Sequence, residues 1–325
     1  MTLRFKSPLA GDLQRFLQFQ RSLGYCYSRA EANLRAFDRF LHRYASQRDI
    51  WHLDRAILDW LARKPQRKAI SVSRDISMLR QFYFYLRRRP GHNSIREPLW
   101  PRLPVKSDFI PYIFSRDNFQ QLLQLSGRLR RPPFRASLHR ALLLLLYCTG
   151  IRFGEALRLR LRDVNTRGGL LFVDSFKGRA RWVPFHRSLS QELESYLAAR
   201  RAFASAQPDD RLFVGKNKRT LPVNTASGTL RRLFCQAGMK PNKGRIGPRP
   251  YDLRHTFAVC RLTQWYRQGV DLYARLPWLS AYMGHQDIMG TEIYLAATPE
   301  LLGLASNRFR RRYLTSRQER SRERE

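Results

Sequence analysis

In the run SLHRALLLLLYCTGIRFGE, residues 137–155, eight consecutive apolar side chains stand between Ala141 and Cys148. Crossing a bilayer takes about 20 such residues. This run therefore predicts a helix of a protein core, from Ser137 to Thr149. Gly150 ends it, because glycine reaches the left-handed backbone region without a Cβ penalty. Arg152 and Glu155 follow, one helical turn apart.

Toward the N-terminus, Ser115 reads as the cap of a helix through Phe119, Leu122 and Leu123. Before it, five prolines (Pro90, Pro98, Pro101, Pro104, Pro111) interrupt any helical pattern and mark a linker from about residue 89. The domain boundary is placed near Lys106. Residues 1–105 then form a helical domain. Ser7 and Pro8 are expected to open a first helix carrying Leu9, Leu13, Phe16 and Leu17 and ending at Gly24. A second starts at Ser28 with Leu34, Phe37 and Leu41. A third lies near Ile57 to Leu61, and a fourth runs through Val72, Ile76, Leu79, Tyr83 and Leu86. Arg15, Arg21, Arg29, Arg35, Arg39 and Arg43 fall on the remaining faces, where phosphate contact is the favoured role and simple solvation the alternative.

Toward the C-terminus, Gly169 to Ser175 and Arg181 to Phe185 predict a strand pair, with Lys177 on its turn. Helices resume from Leu189, interrupted by loops near Asn217 and between Pro241 and Pro250. One of them is expected from Thr225 to Ala237. The second domain extends over 106–310, and 311–325 is a basic tail.

Charge separates the remaining classes of function. The 325 residues carry 61 Lys and Arg against 25 Asp and Glu, a formal net charge of +36. Only nine of those cations are Lys, so 52 are Arg, whose planar fork suits bidentate phosphate contact. Nucleic acid is the expected partner, and a membrane is not, since neither an apolar span nor a signal peptide is visible. Cys26, Cys148, Cys235 and Cys260 lack the paired spacings of a zinc site or a disulfide framework, so a reducing, cytoplasmic setting is expected.

Five short elements then stand in order: TGIRFGE at 149–155, Lys177, DLRHTFA at 252–258, MGHQ at 283–286, and Tyr294 in TEIYL at 291–295. Together they resemble the tyrosine recombinases of the phage integrase family, over about Ile110 to Phe309. The helical first domain resembles that family's core-binding (SAM-like) domain. The fold implied is mainly α, with an α-rich catalytic domain holding a small antiparallel β-hairpin or sheet.

The resemblance implies that Tyr294 is the nucleophile, forming a 3′ phosphotyrosine that stores the bond energy so that strands reseal without ATP. Arg152 and Arg254 match the family's arginines, which stabilise charge growing on nonbridging phosphate oxygens. His285 would hydrogen-bond the same phosphate, Lys177 would protonate the departing 5′ oxygen, and Glu155 would support Arg152. The family's His three positions before the second arginine is here Tyr251. A neutral phenol is a poor base at neutral pH, which leaves the general base unassigned, but it can hydrogen-bond a phosphate oxygen, so Tyr251 stays among the catalytic candidates. His255 is expected to pack inside. Arg179, Arg181, Arg231 and Arg232 are the DNA-contact candidates.

The implied activity needs no cofactor and no metal. The implied partners are double-stranded DNA and three further copies of the chain, or other recombinase subunits, with a mobile element as the setting. Two competing readings are an accessory DNA-binding protein that keeps the fold without the chemistry, and a type IB topoisomerase, which would relax supercoiled DNA at no specific site.

Overall fold

A computed structural model describes residues 5–295, except 26, 46–51, 64–65, 68, 91–95, 102–109, 130–133, 175–178, 216, 245 and 293, together with 303, 306, 307 and 310. The chain divides into two compact units, Met1–Phe109 and Ile110–Glu325.

The first unit is a helical bundle of α1 (Ala10–Ser22), α2 (Ser28–Ala45), α3 (Leu53–Ala62) and α4 (Ala69–Arg87). Their apolar stripes meet in one core of Leu13, Phe16, Leu34, Phe37, Ile57, Leu79 and Phe82. Each such side chain, fully buried, contributes roughly 1.5–3 kcal/mol. The start of α1 differs from the sequence expectation. Ser7 and Pro8 lie in a turn before the helix, because the carboxylate of buried Asp38 accepts the backbone N–H groups of Lys6 and Ser7. That long-range bond holds the chain in turn geometry until Leu9, so a local capping signal yields to a tertiary one.

The second unit contains α5 (Arg116–Gly127), α6 (Arg135–Thr149), the short α7 (Phe153–Ala156), strands β1 (Val164–Asn165), β2 (Leu170–Val173) and β3 (Arg181–Pro184), then α8 (Arg187–Arg201), α9 (Val223–Gln236), α10 (Asp252–Arg267), α11 (Leu272–Met283) and the single turn α12 (Met289–Glu292). Ser115 caps α5 as expected, its side chain accepting the Asn118 N–H while Asn118 returns the bond. The apolar helix α6 packs against α5, α8 and α10 and is buried on most sides. The sheet is antiparallel in the order β1-β2-β3, with Val173 opposite Arg181 and Phe172 opposite Trp182. Leu171, Val173 and Val183 face the core, and Phe172 and Trp182 face out. Strand β1 has no signal of its own in the sequence; two residues acquire strand geometry by pairing with β2. A second apolar cluster joins α10 and α11 through Phe257, Val259, Leu262, Leu276, Leu279 and Met283, and it includes Tyr294.

Candidate active site

Two left-handed glycines set the site. Gly150 (φ 60) ends α6 and Gly284 (φ 67) ends α11. A Cβ at Gly150 would sit 2.4 Å from Phe257 Cδ1, and one at Gly284 would sit 2.5 Å from Arg181 Nη1. Both positions therefore need glycine for space as well as for backbone conformation. The last carbonyls of the two helices turn toward a common point, where a helix end carries partial negative charge.

Arginines bind those carbonyls. Arg254, in the first turn of α10, donates from Nη1 to the Gly150 carbonyl and from Nη2 to the Met283 carbonyl, both at 2.8 Å. Arg152 precedes α7 and donates to the Gly284 carbonyl and to Glu155 Oε1, both at 2.9 Å. The other oxygen of Glu155 accepts the Arg152 backbone N–H at 2.9 Å. Arg254 Nη2 also lies 2.8 Å from His285 Nε2, and His285 Nδ1 lies 2.7 Å from Thr291 Oγ1. The His285 ring stacks near that of Tyr294, with centroids 6.2 Å apart. Arg152, Arg254, His285 and Tyr294 thus form one connected group, although 142 positions separate the first from the last.

The sequence profile of the phage integrase family matches residues 114–300, more than half of the chain. The chain belongs to the phage integrase family. Its members are the tyrosine-type site-specific recombinases, and the N-terminal helical unit shares in the likeness. The putative integrase/recombinase y4rB of Sinorhizobium fredii is 30% identical over 309 residues, which cover 93% of this chain and 96% of that protein. Tyrosine recombinase XerD of Listeria innocua is 26% identical, covering 90% and 95%. The structure of the Tn1549 transposon integrase in complex with a circular intermediate DNA aligns with a TM-score of 0.64 at 15% identity, covering 92% and 99%, a likeness of fold.

Within this recombinase, Arg152 and Arg181 both pair with the carboxylate of Glu155 while Arg254 bonds carbonyls beside them, so the group keeps an excess of positive charge suited to a phosphodiester. Burial lowers the pKa of Arg254 from its usual value, yet arginine stays protonated in proteins. Its donors rest on neutral carbonyls, which are weaker acceptors than a phosphate oxygen and open to exchange with one. Burial, reinforced by Arg254, Arg152 and Arg181, pushes the His285 ring down to about 4, so it is neutral near pH 7. Tyr294 is only 2% exposed, and burial raises its phenol while Arg254 opposes the rise.

The remaining candidates separate by position. Tyr251 stands at the N-terminus of α10, 40% exposed. His255 is buried as expected, and its ring meets those of Tyr251 and Tyr294 edge-on at 5.0 Å and 5.3 Å. Arg179 is exposed, while Lys177 lies outside the described residues. Arg181, a DNA-contact candidate in the sequence, is buried on β3, donating to the Tyr282 carbonyl at 2.7 Å and to Glu155 at 3.1 Å. It braces Glu155 from below, because inward-facing positions alternate along β3 and Arg181 occupies one. On α9, Arg231 donates to the Asn242 carbonyl and so ties down the following loop, while Arg232 is exposed. In the first unit, Arg15 pairs with Asp12, and Arg21 and Arg35 share Glu31. Arg39 and Arg43 stay exposed, and the Arg29 side chain lies outside the described residues. Sequence reading missed Thr291. It stands three positions before Tyr294, and nothing in a lone threonine signals a bond to His285.

Proposed function

We propose that this recombinase cuts and rejoins double-stranded DNA at short inverted sites through a 3′ phosphotyrosine on Tyr294. The observation that carries the reading is the hydrogen-bonded connection of Arg152, Arg254 and His285 beside that phenol. Tyr294 Oη attacks phosphorus as its proton is lost, the bond to the 5′ oxygen breaks, and Lys177 protonates the departing oxygen. Arg152 and Arg254 move their donors from carbonyls to the nonbridging oxygens, where charge grows in the transition state. Resealing is the reverse sequence, and no nucleotide enters it. Arg179, Arg231 and Arg232 contribute phosphate contacts, and Arg181 supports Glu155 and, through it, Arg152.

Four copies act around two duplexes, the assembly that family membership suggests, and the likeness to a transposon integrase supports a mobile element as the setting. Arginines of each unit meet phosphates of the duplex. With a net charge of +36, binding falls steeply between low and physiological salt, and a flat salt dependence overturns phosphate-driven binding.

Covalent trapping tests the chemistry. Wild type and Tyr294→Phe are incubated with a nicked, labelled duplex carrying the element's own junction. An adduct that survives denaturant and requires Tyr294 establishes the nucleophile. Tight binding with no adduct at any pH or salt favours the accessory DNA-binding reading, toward which Tyr251 in place of histidine points.

A further inference from the structure

The bond between His285 and Thr291 determines what the histidine can offer a phosphate. Arg254 Nη2 carries only N–H groups, so at 2.8 Å from His285 Nε2 that ring nitrogen must accept. A doubly protonated ring would set one donor against another there. The single ring proton is therefore on Nδ1, which donates to Thr291 Oγ1 at 2.7 Å. In this state Nε2 presents a lone pair, which would repel a phosphate oxygen.

Offering the phosphate an N–H from Nε2 requires the other neutral tautomer, in which Nδ1 becomes the acceptor. Its neighbour must then donate. A backbone carbonyl or a carboxylate in that place would lock the proton on Nδ1, because neither has a hydrogen to give. A hydroxyl serves in both directions without moving its oxygen. Thr291 is fully buried, so no bulk water substitutes for it, and its backbone N–H is bonded to the Ile288 carbonyl, which fixes the residue on α12. Burial also pushes the ring down to about 4, which makes a second proton costly and exchange between tautomers the cheaper route.

Building on the recombinase reading, we propose that Thr291 is a positioning residue whose reversible hydroxyl lets His285 switch from accepting the Arg254 N–H to donating to the scissile phosphate. The ring holds one proton in both states. Solvent water gives one to Nε2 as Arg254 turns away and takes the one from Nδ1 when the bond to Thr291 opens, after which the Thr291 hydroxyl re-forms that bond as donor. Arg254, released from Nε2, turns to the same phosphate, so one substitution of acceptors frees two donors together.

The test uses the full chain with 15N-labelled histidine, whose ring nitrogen shifts distinguish the tautomers, and His285→Gln to identify the signal. Free protein is expected to show the Nδ1–H form at pH 7. Tyr294→Phe bound to the nicked duplex is expected to show the Nε2–H form, and Tyr294→Phe/Thr291→Val to stay Nδ1–H on the same DNA. In adduct assays Thr291→Val, nearly isosteric, is expected to slow trapping about tenfold or more, and Thr291→Ser, which keeps the hydroxyl, to stay within about threefold of wild type. In a His285→Gln background Thr291→Val should add no further loss. An Nε2–H or doubly protonated ring in free protein overturns the proposal, as does wild-type trapping by Thr291→Val or a loss that multiplies with His285→Gln. Absence of any wild-type adduct defeats the recombinase reading instead, and the tautomer spectra still decide the role of Thr291.

Discussion

Arg200 and Arg254 are both 1% exposed, and both spend their donors on backbone carbonyls, yet they occupy different kinds of place. Arg200, at the end of α8, bonds the carbonyls of Ser205, Arg211 and Leu212, all within twelve residues of itself. It closes one loop onto one helix. Arg254 bonds carbonyls 104 and 29 positions away, at the ends of two helices, and touches His285 as well. The first arginine completes a local network that nothing needs to enter. The second is held by weak acceptors beside Tyr294, and in the proposed reaction the phosphate takes its donors over. Burial of a charged group alone is therefore no sign of function; what matters is whether its partners come from separate elements and can be exchanged.

Substitution separates the two corners most sharply. Arg200→Met is expected to cost about 3 kcal/mol or more in urea unfolding of the full chain, since it leaves buried carbonyls without donors. Arg254→Lys keeps the charge but loses the fork. It is expected to cut adduct formation at least about 100-fold while moving the unfolding midpoint far less. Equal stability losses from both, with equal residual trapping, would erase the distinction.

Acid provides a second separation. Burial holds His139, His255 and His285, all in the C-terminal unit, at about 4, below the ordinary histidine value of 6.5. The folded state then binds fewer protons than the unfolded one between those values. The stability they contribute is complete above pH 6.5 and is lost as pH falls toward 4, at about 3 kcal/mol for the deeply buried His139 and less for His255 and His285, which solvent screens more. Melting temperature against pH should fall across that window, and His139→Gln should flatten the fall. A melting temperature that is constant from pH 7 to pH 4 would contradict the burial of these rings.

A smaller effect probes the glycines. Gly284→Ala adds a Cβ against Arg181 at a left-handed position, so about 2–3 kcal/mol of destabilisation is expected, together with slowed trapping. Gly238→Ala has the same backbone strain (φ +71) with open space around it and should cost about 1 kcal/mol with trapping unchanged. Tyr251→His, which places a base at the N-terminus of α10, is expected to raise the trapping rate about tenfold at pH 7. No gain would mean that proton removal does not limit this recombinase.

Sequence alone determined the helical class, the apolar α6, the caps at Ser115 and Gly150, and the order of TGIRFGE, DLRHTFA, MGHQ and Tyr294. These are local in origin: periodicity, capping chemistry and glycine backbone freedom act over a few residues, so they are written along the chain. Tertiary structure alone decided that Ser7 lies outside α1, that two residues of β1 become a strand, that Arg181 bonds Glu155, and that Thr291 reaches His285. In each case a partner distant in sequence or in another element supplies the deciding bond. Among 52 arginines, composition cannot tell which guanidinium will meet a carbonyl, a carboxylate or open solvent. For Arg254 that choice is made where helices α6, α10 and α11 converge, because the ends of α6 and α11 supply its acceptors.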